Sequence, residues 1–281
     1  MAKGPRTLLP IPDGIAAHFG LLELEEAVPL EGGYHTTILR AGELVVRIEE
    51  REPESVAWEH ELLAWLAPEV PEVVAPIAAP DGSTFLVDGP SVVSLLPYVD
   101  GRPGSAAAFA GLLARVHARG AAWPDARPRP GRPSYAALDW EHNDWWDWTV
   151  VAKPPELVRA FEHARAWIDS GPQLFACPVH GDPAAQNTIW RDGRLVGLVD
   201  WEWARLDWPA VEVALAAWTF ADDGRDEFVA AYLDAGGPGE PTALEEGRRI
   251  GLLANALYAL TRGDSDRAWV AYLLDELREL P

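Results

Sequence analysis

Cysteine is nearly absent from this chain. The one cysteine, Cys177, excludes an intramolecular disulfide and a thiolate zinc cluster. Lysine occurs only at Lys3 and Lys153, so almost every base is arginine. With abundant Ala, Pro and Gly, this reads as a GC-rich coding bias more than a functional choice. Positive charge is scarce altogether: 23 Lys and Arg stand against 44 Asp and Glu, a net charge of −21. Such a field repels nucleic acid and draws cations, although an acidic surface also simply keeps a protein soluble, and both readings stay open. Long apolar runs are missing too. No stretch approaches a membrane span, and the first residues, Met1-Ala-Lys-Gly-Pro-Arg6, hold no signal-peptide core. The expectation is a cytoplasmic protein with neither membrane nor nucleic-acid partner.

What is present is 281 residues, 48% of them hydrophobic, enough for one large domain or two lobes around a proper core. No internal repeat or low-complexity tail interrupts them. The stretch from Cys177 to Arg205 organises the rest. Two short apolar runs, 188–190 and 195–199, flank Arg191-Asp192-Gly193-Arg194, and an Asp-Gly pair between such runs signals a hairpin. A polar loop, His180 to Asn187, enters the first strand and Asp200 leaves the second. A tight hairpin brings its outer ends together, so Asp182, Asn187 and Asp200 should share one small volume. Two carboxylates and an amide carbonyl suit a hard cation such as Mg²⁺, which takes phosphate as co-ligand. Phosphoryl transfer needs this kind of set. Taken singly, each residue is equally a loop cap or a strand end; the three spacings together carry the signal.

His180-Gly181-Asp182, Asn187 five residues on, and Asp200-Trp201-Glu202 together resemble the signature of the aminoglycoside phosphotransferase and choline-kinase-like family. The resemblance spans about residues 28–262. It implies an α+β, bilobal protein-kinase-like fold, with a β-rich nucleotide-binding lobe over residues 1–97 and a mainly helical catalytic and substrate-binding lobe over 98–281. It implies ATP and Mg²⁺ as cofactors, Asp182 as catalytic base, and Asn187 and Asp200 as metal ligands. His180 is expected to hold the loop backbone, and Asp207 to brace the metal loop. Glu212 stands where the family usually has Asp.

Ahead of this segment the pattern is β-like. Strands are expected over 22–30, 36–40 and 44–48, with Gly32 and Gly33 between the first two as candidates for the nucleotide phosphates. By the resemblance Arg47 occupies the place of a phosphate-binding lysine; a solvent-facing edge arginine is the alternative. Residues 54–66 read as a helix, and by the resemblance Glu59 there, or else Glu61, is the partner of Arg47. The stretches 73–78, 85–87 and 92–96 read as two further strands and a connector. Leu95 and Leu96 open the interlobe hinge, whose backbone would hold adenine. Helices follow over 106–119 and 155–170, then over 210–219, 226–234, 243–262 and 265–279.

Between Asp139 and Trp148, ten residues hold four tryptophans and four acids. Carboxylates beside aromatic faces hold ammonium groups, so Asp144, Trp145, Trp146 and Asp147 are candidates for binding a cationic acceptor. An ordinary insertion anchored by its tryptophans is the rival reading. Glu202 and Asp264 complete the substrate candidates. The expected reaction is phosphorylation of a hydroxyl on a cationic small molecule, an aminoglycoside or basic-peptide antibiotic first. An amino-sugar, choline, ethanolamine or macrolide kinase, a silent nucleotide-binding module and a metal-dependent phosphohydrolase are the alternatives. Monomer and homodimer fit equally.

Overall fold

In the computed structural model, residues 9–30, 36–102, 107–143, 145–146, 148–149, 153–220, 224–239, 243–261 and 267–280 are described. After a short helix, α1 (Ile15–His18), comes an antiparallel sheet of β1 (Val28–Pro29), β2 (Thr37–Ala41), β3 (Leu44–Glu49), β4 (Leu86–Asp88) and β5 (Ser91–Pro97), in the order β1-β2-β3-β5-β4. Strand β3 is buried at its last four residues. Alternation splits them: Val46 and Ile48 join the core formed with Leu39, Val93 and Leu95, while Arg47 and Glu49 share the other face. That second face is covered by α2 (Pro53–Leu66), which Pro53 opens at a first-turn position. The helix is buried nearly all round because it also packs against the helical half.

One expected strand is reduced, and one of the three stretches that follow α2 is the connector. Over 22–30 only Val28–Pro29 pairs, because Val28 lies opposite Arg40. Residues before Ala27 therefore run past the end of β2, with no strand left to pair. Over 73–78 the chain is extended but unladdered. Pro76 offers no N–H, and the segment is held by single links, the bridge Val73 to Leu198 and the bond from Ile77 N–H to the Leu95 carbonyl.

The helical half comprises α3 (Ala107–Ala121), α4 (Pro155–Asp169), α5 (Pro209–Phe220), α6 (Arg225–Asp234), α7 (Leu244–Thr261) and α8 (Arg267–Glu279). Inserted between α4 and α5 are β6 (Cys177–Val179), paired with β9 (Arg205–Asp207), and the hairpin β7 (Thr188–Arg191) with β8 (Arg194–Leu198). One apolar cluster contains Trp58, Leu62 and Leu66 of α2 together with Phe109 and Leu113 of α3 and Val213 of α5, so the two halves share a core. The hinge after β5 is tied to the hairpin by reciprocal bonds between Arg102 and Trp190. Glycine is required there: a Cβ on Gly101 would fall 2.5 Å from Ile189 Cγ2 and 2.6 Å from the Trp190 carbonyl oxygen.

The tryptophan-rich stretch forms turns, not a helix, and much of it is buried. Short polar side chains satisfy its backbone. Asp139 accepts from the Glu141 and His142 amides, and Asn143 from those of Trp145 and Trp146. Trp140 is wholly buried, donates to the Tyr135 carbonyl at 2.9 Å and packs on Trp146 and Phe161. Trp140→Ala is expected to destabilise the protein by about 3–5 kcal/mol, read as a lower midpoint in urea unfolding. An unchanged midpoint would mean that this stretch packs loosely.

Candidate active site

The hairpin turn has Asp192 at φ +51° and Gly193 at φ +73°. Two successive left-handed residues match the twist of a two-residue hairpin. At the open end, Val199 N–H donates to the Asn187 carbonyl at 2.9 Å, which closes the loop exit on the strand exit. Asn187, 5% exposed, turns its amide nitrogen on Asp182, at 2.8 Å from Oδ2 and 2.9 Å from the backbone oxygen. Its side-chain oxygen accepts no hydrogen bond from a described residue. Asp200 follows β8 in a left-handed conformation, φ +65°, ψ +60°, unusual for a residue with a Cβ. The structure thus brings Asp182, Asn187 and Asp200 together.

Packing in the cleft pushes the Asp200 carboxyl above its usual range, first by desolvation and further by Asp182, with Arg47 opposing. Asp200 nonetheless keeps access to solvent, which moderates that shift. Two neighbouring carboxylates with an amide oxygen beside them form a donor set that suits a hard divalent cation.

The loop is held from behind. His180 is buried; its Nε2–H donates to the Val199 carbonyl at 2.9 Å and its Nδ1 accepts the Asp182 amide at 3.3 Å. Only a neutral ring protonated on Nε2 serves both partners. Glu212 of α5 accepts from the His180 amide at 3.0 Å, from the Gly181 amide and from His117 Nε2 at 2.7 Å. Gly181 is required: at φ +86°, a Cβ would collide with the Trp203 carbonyl. Asp207, expected to brace the metal loop, does not do so. It pairs with Arg205 at 2.7 Å and accepts the Tyr135 and Trp208 amides, on the wall of a neighbouring cavity. Glu212 takes the bracing role, because a helix placed 30 residues downstream reaches the loop where a residue seven after Asp200 turns away.

On the sheet side, Arg47 Nη1 donates to Glu59 Oε1 at 2.6 Å, and Arg51 and Arg129 meet Glu59 Oε2 at 2.8 and 2.6 Å. Burial would raise Glu59, yet three guanidinium groups hold it well below the carboxylate range. Burial works against the Arg47 charge as well, but Glu49, Glu59 and Asp200 outweigh it and raise its pKa. Glu61 instead pairs with Arg127 at the surface. Leu95 and Leu96 lie in β5 opposite Val46 and Val45, and the Leu95 carbonyl already accepts from Ile77.

Beside Asp182 opens a cavity of about 400 Å³. Trp145 and Trp146 line it, as do Tyr135, Trp203, Tyr258 and Trp269, which the sequence reading did not single out. Those four arrive from separate elements and share no local motif. Glu202 turns to Arg132 at 3.6 Å and is not in the cavity wall. Gly32, Gly33, Asp144, Asp147 and Asp264 lie outside the described residues.

Glu212→Gln replaces an acceptor by an NH₂ facing N–H donors and should cost about 3 kcal/mol near neutral pH. The pH dependence tests the sign. His117 and the loop amides hold the folded carboxyl below its ordinary 4.5 although burial opposes them. The stability it adds is therefore full above pH 4.5 and is lost as pH falls towards the folded value. Urea unfolding of both proteins should show the gap between them narrowing only below that pH; a gap independent of pH would contradict the assignment.

Comparison with known proteins places this geometry. A family model described as the phosphotransferase enzyme family matches residues 26–249. A homoserine kinase of Caulobacter sp. (strain K31) is 27% identical over 288 residues, covering 94% of this chain and 86% of that protein. Among solved structures, a microcompartment-associated aminopropanol kinase superposes with a TM-score of 0.71 at 18% identity, covering 93% of this chain and 92% of its own. A thermostable mutant of an aminoglycoside phosphotransferase, in ternary complex with AMP-PNP and hygromycin B, gives 0.63 at 16% identity, covering 94% and 96%. The fold of a sheet-rich lobe followed by a helical one is theirs, and the chain belongs to the phosphotransferase enzyme family.

Proposed function

We propose that this phosphotransferase moves the γ-phosphoryl group of ATP to the hydroxyl of a small alcohol bearing one ammonium group. The observation that carries the reading is the cavity beside Asp182. Its wall is aromatic, with faces of the kind that hold an ammonium ion, and Asp182 is the one carboxylate in its described lining. A polycationic antibiotic would call for several acids there. Arg205 is also in the wall, but its charge is matched by Asp207 at 2.7 Å. That reorders the sequence-based expectation: a compact amino alcohol ahead of an aminoglycoside. The aminopropanol kinase of similar fold points the same way, and the complex of the aminoglycoside phosphotransferase with an ATP analogue supports ATP as donor.

In this reading Asp182 orients the acceptor hydroxyl and takes its proton as the oxygen attacks the γ-phosphorus. The bond from that phosphorus to the β–γ bridging oxygen breaks, and ADP leaves. Asn187 holds the Asp182 carboxylate in place through its amide N–H. Arg47, kept charged by its carboxylate neighbours, faces the phosphates. Asn187 and Asp200 would hold Mg²⁺, which supplies charge neutralisation on the phosphate oxygens. Positioning and electrostatics do most of the work.

ADP release should be followed with 2-aminoethanol, 1-amino-2-propanol, choline, homoserine, two aminoglycosides and a macrolide. The highest kcat/KM is expected for a compact amino alcohol. Tyr258→Ala should raise its KM by about tenfold with kcat little changed, since a ring contact to an ammonium is worth about 1–2 kcal/mol. Preference for an aminoglycoside, or indifference to Tyr258→Ala, would overturn the acceptor assignment while leaving the phosphotransferase in place.

A further inference from the structure

Arg129 lies in the Pro- and Arg-rich connection between α3 and α4 and takes no part in the chemistry above. It is nevertheless buried, 2% exposed. Its guanidinium spans two elements that both reach the cleft. Towards α2, Nη2 meets Glu59 Oε2 at 2.6 Å and Nε donates to Ser55 Oγ at 3.0 Å. Towards the turn that follows Asp200, Nη1 donates to the Trp201 carbonyl at 3.0 Å and to the Ala204 carbonyl at 2.9 Å. The connection is also fastened to α2 just ahead of Arg129. Trp58 donates to the Arg127 carbonyl at 2.9 Å and packs edge-on against Trp123.

Two features make this more than a buried ion pair. Asp200 occupies a left-handed backbone conformation that persists only where its surroundings over-determine it. The turn Trp201–Trp203 begins at the next residue, and two of the carbonyls that fix it, those of Trp201 and Ala204, end on one Arg129 nitrogen. On the other side, Glu59 is the group that holds Arg47. Arg47 and Asp200 are close enough for each to shift the other's acidity. One planar, rigid fork therefore sets the position of a cation on the sheet side relative to a carboxylate on the helical side.

We propose that Arg129 is a positioning residue: it couples helix α2 to the turn bearing Asp200, and so fixes the spacing across which nucleotide phosphates and their cation are held. The inference rests on the phosphotransferase reading of Asp200 and Arg47. A lysine at this position keeps the charge beside Glu59 but has no fork with which to hold the turn as well.

Arg129→Lys is the test variant, with Ser55→Ala as the control that leaves the turn contacts intact. Calorimetry gives ADP affinity with Mg²⁺ and with chelator; steady-state kinetics gives kcat and acceptor KM; melting gives the fold. In Arg129→Lys the gain in ADP affinity on adding Mg²⁺ should fall about tenfold or more. Its kcat should fall about ten- to a hundredfold, the scale of losing charged hydrogen bonds in a buried network. Metal-free ADP affinity and acceptor KM should stay within about threefold, and Ser55→Ala should behave as wild type in all four. A variant that melts earlier yet keeps its Mg²⁺ gain and kcat would overturn the proposal. So would a uniform loss of all four parameters. If wild type itself gains no ADP affinity from Mg²⁺, the phosphotransferase reading falls and this inference with it. Hydrogen exchange on wild type serves where Arg129→Lys does not fold. Mg²⁺ and ADP together should slow exchange at 201–204 and at 55–60, and slowing confined to 201–204 would overturn the coupling.

Discussion

A carboxylate with no access to water, Glu59, is the point on which this molecule depends. It is wholly buried and receives guanidinium groups from three stretches of chain: Arg47 from β3, Arg51 just after it, and Arg129 from beyond α3. Burying one charge among apolar helices is affordable only when its partners are in place, and removing one partner of such a set commonly costs about 3–5 kcal/mol. Because the partners belong to both halves of the fold, satisfying Glu59 also assembles the cleft. Arg129 keeps its charge at neutral pH, although burial brings it down to about 10.

The same economy of polar groups governs the catalytic loop. Residues 180–187 have little regular structure, so their amides need partners from elsewhere. His180 and Glu212 provide them from behind, and Asn187 from within. Among the described residues, the side that faces the cavity has one carboxylate, Asp182, among aromatic rings. That division of labour, polar support behind and an apolar acceptor wall in front, lets a single acid act on a hydroxyl without competing salt bridges.

Much of the site was legible because its signals are local. Asp192-Gly193 between apolar runs announced the hairpin, and the hairpin announced that Asp182, Asn187 and Asp200 would meet. The amphipathic run before Leu66 placed Glu59 on a helix next to β3. What escaped the sequence was long-range. Arg129 sat in a stretch whose prolines and arginines read simply as loop, although its partners lie about 70 residues away on either side. The resemblance assigned Asp207 the bracing that Glu212 performs, and only the packing of α5 against the loop shows the difference. Tyr258 and Trp269 carried no spacing that tied them to Trp145. Of the stretches 73–78, 85–87 and 92–96, composition did not say which was the connector; Pro76 makes it 73–78 by denying that segment a ladder.

The claim that matters most is that Asp182 drives transfer while Asn187, Asp200 and Arg47 hold the donor. Rapid-quench transfer of labelled γ-phosphate from ATP to an amino alcohol, measured for wild type and Asp182→Asn alongside Mg²⁺-ADP affinity, tests it most directly. The account expects transfer to drop by about a thousandfold, within the usual range for a lost general base, with ADP affinity retained. Transfer at the wild-type rate in Asp182→Asn would contradict it.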